Sequence, residues 1–272
     1  MSRKITEGSP SEACSLPSAL KCRREIEACA ENRRIAVFLD YDGTLTPIVD
    51  RPGKAVLSGK MRQRLAKLSR SLPVGIISGR DLQDVRARVG LDAIVYAGSH
   101  GFDIHGPDFS YRQGLDFLPA LDGAERQLNE RLRPISGARV DRKLFAIAVH
   151  YRQVADEDVQ AVERVVNEVV SMHSELRKST GKAIFELKPD TDWDKGRALI
   201  WILEKMDLDR PDALPFYIGD DTTDEDAFRD ISNRGIGVLV RSDSRPTWAR
   251  YALETPGEVG RFLTFLQSLR PF

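Results

Sequence analysis

Four short stretches of the chain carry residues able to do chemistry together. The segment 36–47 reads AVFLDYDGTLTP and sets Asp40 and Asp42 two residues apart, ahead of Gly43 and Thr44. The apolar run before them, Ile35 to Leu39, is too short for a helix and suits a buried parallel strand. Open α/β sheets place their chemistry at the carboxyl ends of strands. Two aspartates side by side there repel unless they share a cation or a proton. That arrangement suits a divalent metal with one carboxylate left to react. A second acidic cluster, Phe216 to Asp226, puts Asp220 and Asp224 just past Gly219, again after an apolar run. Two such clusters on one sheet offer the oxygen ligands that Mg2+ prefers. Between them lie Ser78, ending the run Val74–Ile77 and followed by Gly79, and Lys195 in Asp192-Trp-Asp-Lys-Gly196. Hydroxyl, ammonium, carboxylates and metal are the parts that hold a transferring phosphoryl group.

Each group has a plainer reading. Asp-Gly and Ser-Gly pairs also make turns. Lys195 falls in a first helical turn, where the helix dipole disfavours a cation; that favours an anionic ligand beside it. Asp221, Glu225 and Asp226 read as solvated first-turn acids.

The elements that must position these groups alternate. Helix is expected over 19–32, strand over 35–39, an amphipathic helix over 58–71 with Leu57, Met61, Leu65 and Leu68 in register, and strand over 74–77. Helix over 80–89, stopped by Gly90, and strand over 94–97 follow. This spacing means βαβ units and a parallel sheet. From about 102 the pattern changes. Two short strands around His105–Asp108, helix 117–132, paired strands 138–141 and 144–150, a helix striped by Val159, Val162, Val166 and Val169, and strands 176–179 and 183–187 describe an antiparallel α+β unit. After Pro189 the parallel pattern returns with helix 195–206, strand 215–218, helix 224–231, strand 235–240 and helix 257–269. Three parts are therefore expected: a flexible tail over 1–18, a core of 19–103 and 190–272, and an insert of 104–189.

Composition narrows the partners. Lys plus Arg and Asp plus Glu both number 41 in 272 residues, so the chain offers no global field to nucleic acid or to a membrane surface. No run is long and apolar enough to cross a membrane, and residues 1–20 lack the apolar centre of a signal peptide, so a cytoplasmic protein is expected. Cys14, Cys22 and Cys29 match no zinc spacing and read as small thiols. A monomer is the expected state.

The four stretches, in this order, resemble the haloacid dehalogenase superfamily: DxDxT at Asp40–Thr44, a strand-end hydroxyl at Ser78, a lysine at Lys195, and GDxxxD at Gly219–Asp224. The longer segments Leu39–Ile48, Ser78–Arg80, Ala97–Phe102, Lys143 with His150–Arg152, Glu186–Pro189 and Gly219–Phe228 are similar to those of the trehalose-6-phosphate phosphatases, over about 33–265. The resemblance implies a Rossmann-like parallel-sheet core with an inserted α/β (α+β) cap. It implies that Asp40 is the nucleophile, Asp42 the general acid and then base, and Lys195 a catalytic partner. Asp40, Ser78, Gly79 and Lys195 would bind phosphate. Mg2+ would be held by Asp40, Asp42 through its carbonyl, Asp220 and Asp224. The sugar would meet His100, Lys143, Arg152, Glu186 and Lys188. The implied substrate is trehalose 6-phosphate. A phosphatase for sucrose or glucosylglycerol phosphate, or a catalytically silent sugar-phosphate-binding regulatory domain, would share much of this pattern. The variable stretch Asp190–Asp194 is more acidic than this pattern leads one to expect before Lys195.

Overall fold

The structure is a computed structural model that describes residues 10–49, 52–181, 183–241 and 244–269. Its chain order is β1 (Ser11–Glu12), α1 (Arg23–Ala30), β2 (Arg34–Leu39), α2 (Gly59–Leu68), β3 (Val74–Ile77), α3 (Leu82–Val89), β4 (Val95–Gly98), β5 (Asp103–His105) and β6 (Ser110–Arg112). Then come α4 (Leu118–Leu132), β7 (Arg139–Lys143), β8 (Ala146–His150), α5 (Val159–Ser171), β9 (Leu176–Gly181) and β10 (Ile184–Pro189). The chain closes with α6 (Lys195–Lys205), β11 (Ala213–Gly219), α7 (Glu225–Ile231), β12 (Ile236–Val240), β13 (Pro246–Thr247), β14 (Tyr251–Leu253) and α8 (Pro256–Ser268).

The chain divides into two compact units, 112–192 and the remainder. In the larger unit one sheet runs β14-β12-β11-β2-β3-β4-β5-β6, parallel from β14 to β4 and antiparallel at β5. The central strand β2 is buried on both faces, which is why it reads as a continuous apolar run. Ile35, Val37 and Leu39 pack with α1, α2, α3 and α8, while Ala36 and Phe38 pack with α6 and α7. The carboxyl ends of β2 and β11 are neighbours in register, with Ile218 opposite Leu39. That pairing brings Asp40 and Asp220 to the same edge.

The smaller unit is a four-stranded antiparallel sheet, β7-β8-β10-β9, with α4 and α5 covering one face. Along β10 the alternation is strict: Phe185 and Leu187 are buried with Val162, Val166 and Leu128, whereas Ile184, Glu186 and Lys188 stay half-buried on the open face.

Two boundaries differ from the sequence reading. Residues 102–111 stay with the larger sheet, because β5 pairs antiparallel with β4, Tyr96 facing His105. The division accordingly falls at 112 and 192 instead of 104 and 189. Residues 10–18, read as part of a flexible tail, are tied down instead. Ser11 and Glu12 pair with Thr247 and Pro246, Ala13 is fully buried, and Ser18 bridges Ala252. Residues 1–9 of that tail lie outside the described residues. Cys22 and Cys29 are half-buried against the core around α1, Cys14 is exposed, and all three thiols are free.

Candidate active site

Asp40 leaves β2 with its backbone N–H donating to Ile218 at 2.9 Å, so the strand end is fixed by its neighbour. Gly43, with φ +81°, turns the chain at once. A Cβ there would lie 1.9 Å from an Asp220 carboxylate oxygen, so only glycine allows the two strand-end loops to approach this closely. Thr44 donates its hydroxyl to Asp220 at 3.3 Å.

Lys195 opens α6, whose cap is the Asp194 carboxylate, accepting from the Arg197 N–H at 2.8 Å. Its ammonium is 3 % exposed and bridges Asp40 Oδ1 at 2.7 Å and Asp224 Oδ1 at 2.8 Å. Asp224 is fully buried and its oxygens are saturated. Oδ1 also accepts from the Tyr217 hydroxyl at 2.7 Å, and Oδ2 accepts from the N–H groups of Asp220 and Asp221, both at 2.9 Å. A carboxylate has about four acceptor positions, and all four are used. Asp224 therefore shapes the 220–221 loop and aims Lys195. One oxygen each of Asp40, Asp220 and Asp224 lie within 4.8 Å of one another.

The electrostatics are unbalanced. Burial pushes the Asp40 carboxyl well above the usual range, opposed by Lys195 and reinforced by Asp224 and Asp220. Burial, with Asp224 beside it, pushes Asp220 up to about 7. For Lys195, burial disfavours the charge, but Asp224 and Asp40 outweigh it and hold the ammonium protonated. One ammonium faces three carboxylates, and with Asp224 saturated the hard oxygens of Asp40 and Asp220 are those that fit a divalent cation.

Ser78 is buried at the end of β3, and its Oγ accepts from the Arg80 N–H at 3.2 Å. Gly79 lies under the His100 ring; a Cβ there would be 2.7 Å from Cε1. His100 sits in the larger unit with φ +57°, its N–H donating to Ser78 at 2.9 Å, so it belongs to the strand-end turns. Asp42 is not a member of the acidic trio; both its oxygens accept from Arg80, at 2.6 and 2.7 Å.

The other candidates lie in the smaller unit. Lys143 and Glu186, two strands apart, meet at 3.4 Å on the open face. Lys188 shares that face two residues along β10, opposite Arg177. His150 lies on β8 with Asp141 at 3.8 Å, while Arg152 is exposed in the turn after β8, off the sheet.

Three residues of the site have no role in the sequence reading: Tyr217, Arg80, which stands there only as the end of the Ser78–Arg80 segment, and Arg245, which donates to the Asp220 carbonyl at 2.6 Å. Tyr217 has a usable signal, since position two before the strand-end Gly219 points to one sheet face; Arg245 has none, being far along the chain. Glu225, read as solvated, is half-buried and accepts from the Trp248 N–H at 2.9 Å. The acidic stretch also acquires roles. Asp194 caps α6, Trp193 donates to the Gly101 carbonyl at 2.9 Å, and the Asp190 N–H donates to Glu175 at 2.8 Å.

The parallel sheet with its acidic strand ends has the fold of the haloacid dehalogenase-like hydrolases. A solved hydrolase of that class from Bacteroides thetaiotaomicron superimposes with a TM-score of 0.62 over 86 % of this chain and 99 % of that one, at 18 % identity. A sequence model of the trehalose-phosphatases matches residues 38–257, and the chain belongs to that family. A probable trehalose-phosphate phosphatase D of Arabidopsis thaliana is 40 % identical over 91 % of this chain and 71 % of its own length. The Aspergillus fumigatus trehalose-6-phosphate phosphatase aligns with a TM-score of 0.68 at 26 % identity, over 93 % of this chain and 99 % of that one. An uncharacterized glycosyl hydrolase of Mycobacterium tuberculosis is 44 % identical over 96 % of this chain, which spans only 20 % of that longer protein. Among the described residues no helix is long and apolar enough to cross a membrane.

Proposed function

We propose that the chain is a Mg2+-dependent phosphatase that hydrolyses trehalose 6-phosphate to trehalose and inorganic phosphate. One observation carries the reading: the buried Lys195 ammonium bridging Asp40 and Asp224, with Asp220 in the same trio. Asp40 is the nucleophile. Its carboxylate oxygen attacks phosphorus, the bond from phosphorus to the sugar oxygen breaks, and Asp42 gives that oxygen its proton. In the second half Asp42 takes a proton from water. The water oxygen attacks phosphorus, and the bond to Asp40 breaks to release phosphate. Lys195 holds a phosphate oxygen and screens Asp40, while Ser78 and the Gly79 turn hold the others. Asp40, Asp220 and the Asp42 carbonyl would hold Mg2+, with Asp224 bracing their loop. Bound there, the cation supplies charge neutralisation between an anionic nucleophile and an anionic phosphate.

The smaller unit is the substrate-recognition cap in this reading. Trehalose is neutral and rich in hydroxyls, and the open face offers alternating donors and acceptors in Lys143, Glu186 and Lys188; Arg152 and His100 are the further candidates for sugar binding. The enzyme acts on a small molecule, in the cytoplasm and as a monomer, with no nucleic-acid or membrane partner. The test is phosphate release across a panel of trehalose, sucrose, glucosylglycerol and glucose phosphates with Mg2+. Trehalose 6-phosphate should give the highest kcat/KM. Equal rates across the panel would remove the substrate assignment, and no release from any would remove the activity.

A further inference from the structure

Arg80 completes the Ser78-Gly79 turn and points its side chain at Asp42. We infer that Arg80 is the positioning residue for Asp42, fixing where its carboxylate stands for proton transfer to and from the reacting oxygens. The inference rests on the acid–base role proposed for Asp42.

Asp42 taken alone is poorly placed for that task. Its side chain is 44 % exposed, and an exposed aspartate samples several rotamers. Arg80 removes this freedom. Its side chain is only 9 % exposed, and Nε and one terminal nitrogen donate to the two Asp42 oxygens at 2.6 and 2.7 Å. A forked pair sets the carboxylate plane as well as its position, which a single contact cannot do.

The guanidinium is itself held from every side. Its other terminal nitrogen donates to Asp84 at 2.8 Å, and its carbon lies 5.2 Å from the centre of the Tyr41 ring. Asp84 accepts in turn from Arg88 at 2.9 Å. Arg88 and the Tyr41 hydroxyl both donate to the Ala55 carbonyl, at 2.9 and 3.0 Å. The contacts close a ring: Arg80, Asp84, Arg88, Ala55, Tyr41 and back. Asp42 stands outside this ring and is held by its Arg80, and Tyr41 lies between Asp42 and Asp40 in sequence. A surface ion pair kept for stability alone would need no such frame, since exposed pairs contribute little.

Of the two steps that use Asp42, only the first, protonation of the departing oxygen, depends on the leaving group. A sugar alkoxide cannot leave without that proton, whereas p-nitrophenolate can. Loss of positioning should therefore appear with the first substrate and spare the second. In the Mg2+-loaded enzyme, Arg80→Gln should lower kcat/KM, which ends at alcohol release and excludes the later water attack, at least about thirtyfold for trehalose 6-phosphate, with kcat/KM for p-nitrophenyl phosphate within about threefold of the parent. Arg80→Lys keeps the charge but not the fork, and should recover only part of the loss. Asp84→Asn loosens Arg80 without touching Asp42; it should show the same pattern at about three- to fivefold, and it carries the test if Arg80→Gln does not fold. Asp42→Asn is run alongside. If it lowers kcat/KM of both substrates equally, the general-acid role of Asp42 fails, and this inference with it. If Asp42→Asn discriminates between the substrates and the Arg80 and Asp84 variants do not, the role of Asp42 stands and the inference alone is overturned. A rise in KM for both substrates with kcat intact would mark Arg80 as a phosphate ligand and overturn it as well.

Discussion

The strand ends of the parallel sheet and the open face of the smaller sheet are built to different standards. At the strand ends Asp40, Lys195, Asp220 and Asp224 are all buried, and Asp224 alone accepts four hydrogen bonds. On the open face Lys143 and Glu186 keep 32 % and 20 % of their side chains in solvent and touch through one contact of 3.4 Å. Charges buried together interact strongly and tolerate no slack, because each needs its partner. Half-exposed ones are worth little to stability and can exchange one another for a ligand's hydroxyls. In the function proposed above, the first region serves a reaction common to all phosphate monoesters, the second a choice among sugars.

The comparison can be broken in four ways. The largest effect belongs to Asp40→Asn, which should abolish turnover by at least about a thousandfold while far-ultraviolet circular dichroism stays unchanged. Near-normal phosphate release would end the covalent mechanism.

Removing the cation comes next. Exhaustive chelation should stop phosphate release and Mg2+ should restore it; full activity without metal would refute the metal assignment. The pH dependence has a definite sign. Asp220 is raised to about 7, so below that pH a proton competes with the cation and Mg2+ affinity measured by calorimetry should fall as pH drops from 8 to 6. In the metal-free protein a raised acid contributes stability that is present at low pH and lost as pH rises through about 7. Chelated protein should thus melt lower at pH 8 than at pH 6, with Mg2+ closing the gap. Mg2+ affinity that is flat across this range would contradict the arrangement.

Third, Glu186→Ala should lower kcat/KM for trehalose 6-phosphate by about tenfold, the worth of one charged hydrogen bond, and leave p-nitrophenyl phosphate nearly untouched. Equal loss on both substrates would return Glu186 to a structural part.

The smallest effect sharpens the contrast from within the buried region. Asp194 supports Lys195 only by capping α6, so Asp194→Ala should cost about 1 kcal/mol in denaturant unfolding and change kcat little. A kcat loss as large as that of Asp40→Asn would make Asp194 part of the chemistry.

How much of this was legible follows the same division. The core elements are short apolar runs ending in acids, and β2, β3 and β11 fall within a few residues of where the sequence puts them because burial on both faces leaves an unbroken signal. The open face was half legible, since alternation along β10 shows that Glu186 and Lys188 share a side but not that Lys143 reaches across two strands to meet one of them. What stayed hidden is held by contacts distant in sequence. The strands β1, β13 and β14 are too short for a periodic pattern, and Arg245 reaches Asp220 only after the chain has folded. Residues 104–111 look like the start of the insert because the helix-and-strand alternation breaks there; pairing of β5 with β4 is what places them in the core sheet.

The strap at residues 11–16 changes where this domain can be cut. A designer working from motifs would begin the chain at the first predicted helix, near residue 19. The structure shows that such a trim removes the partner of β13 and the carbonyl of Ala13 that receives Arg241, and leaves Ala13's former acceptor, the Arg245 carbonyl, without its N–H. Arg245 is the residue that grips the Asp220 loop. Within a longer polypeptide of the mycobacterial kind, the workable seam therefore lies before residue 11, and fusion or truncation at 19 would loosen a loop about two hundred positions away in the chain.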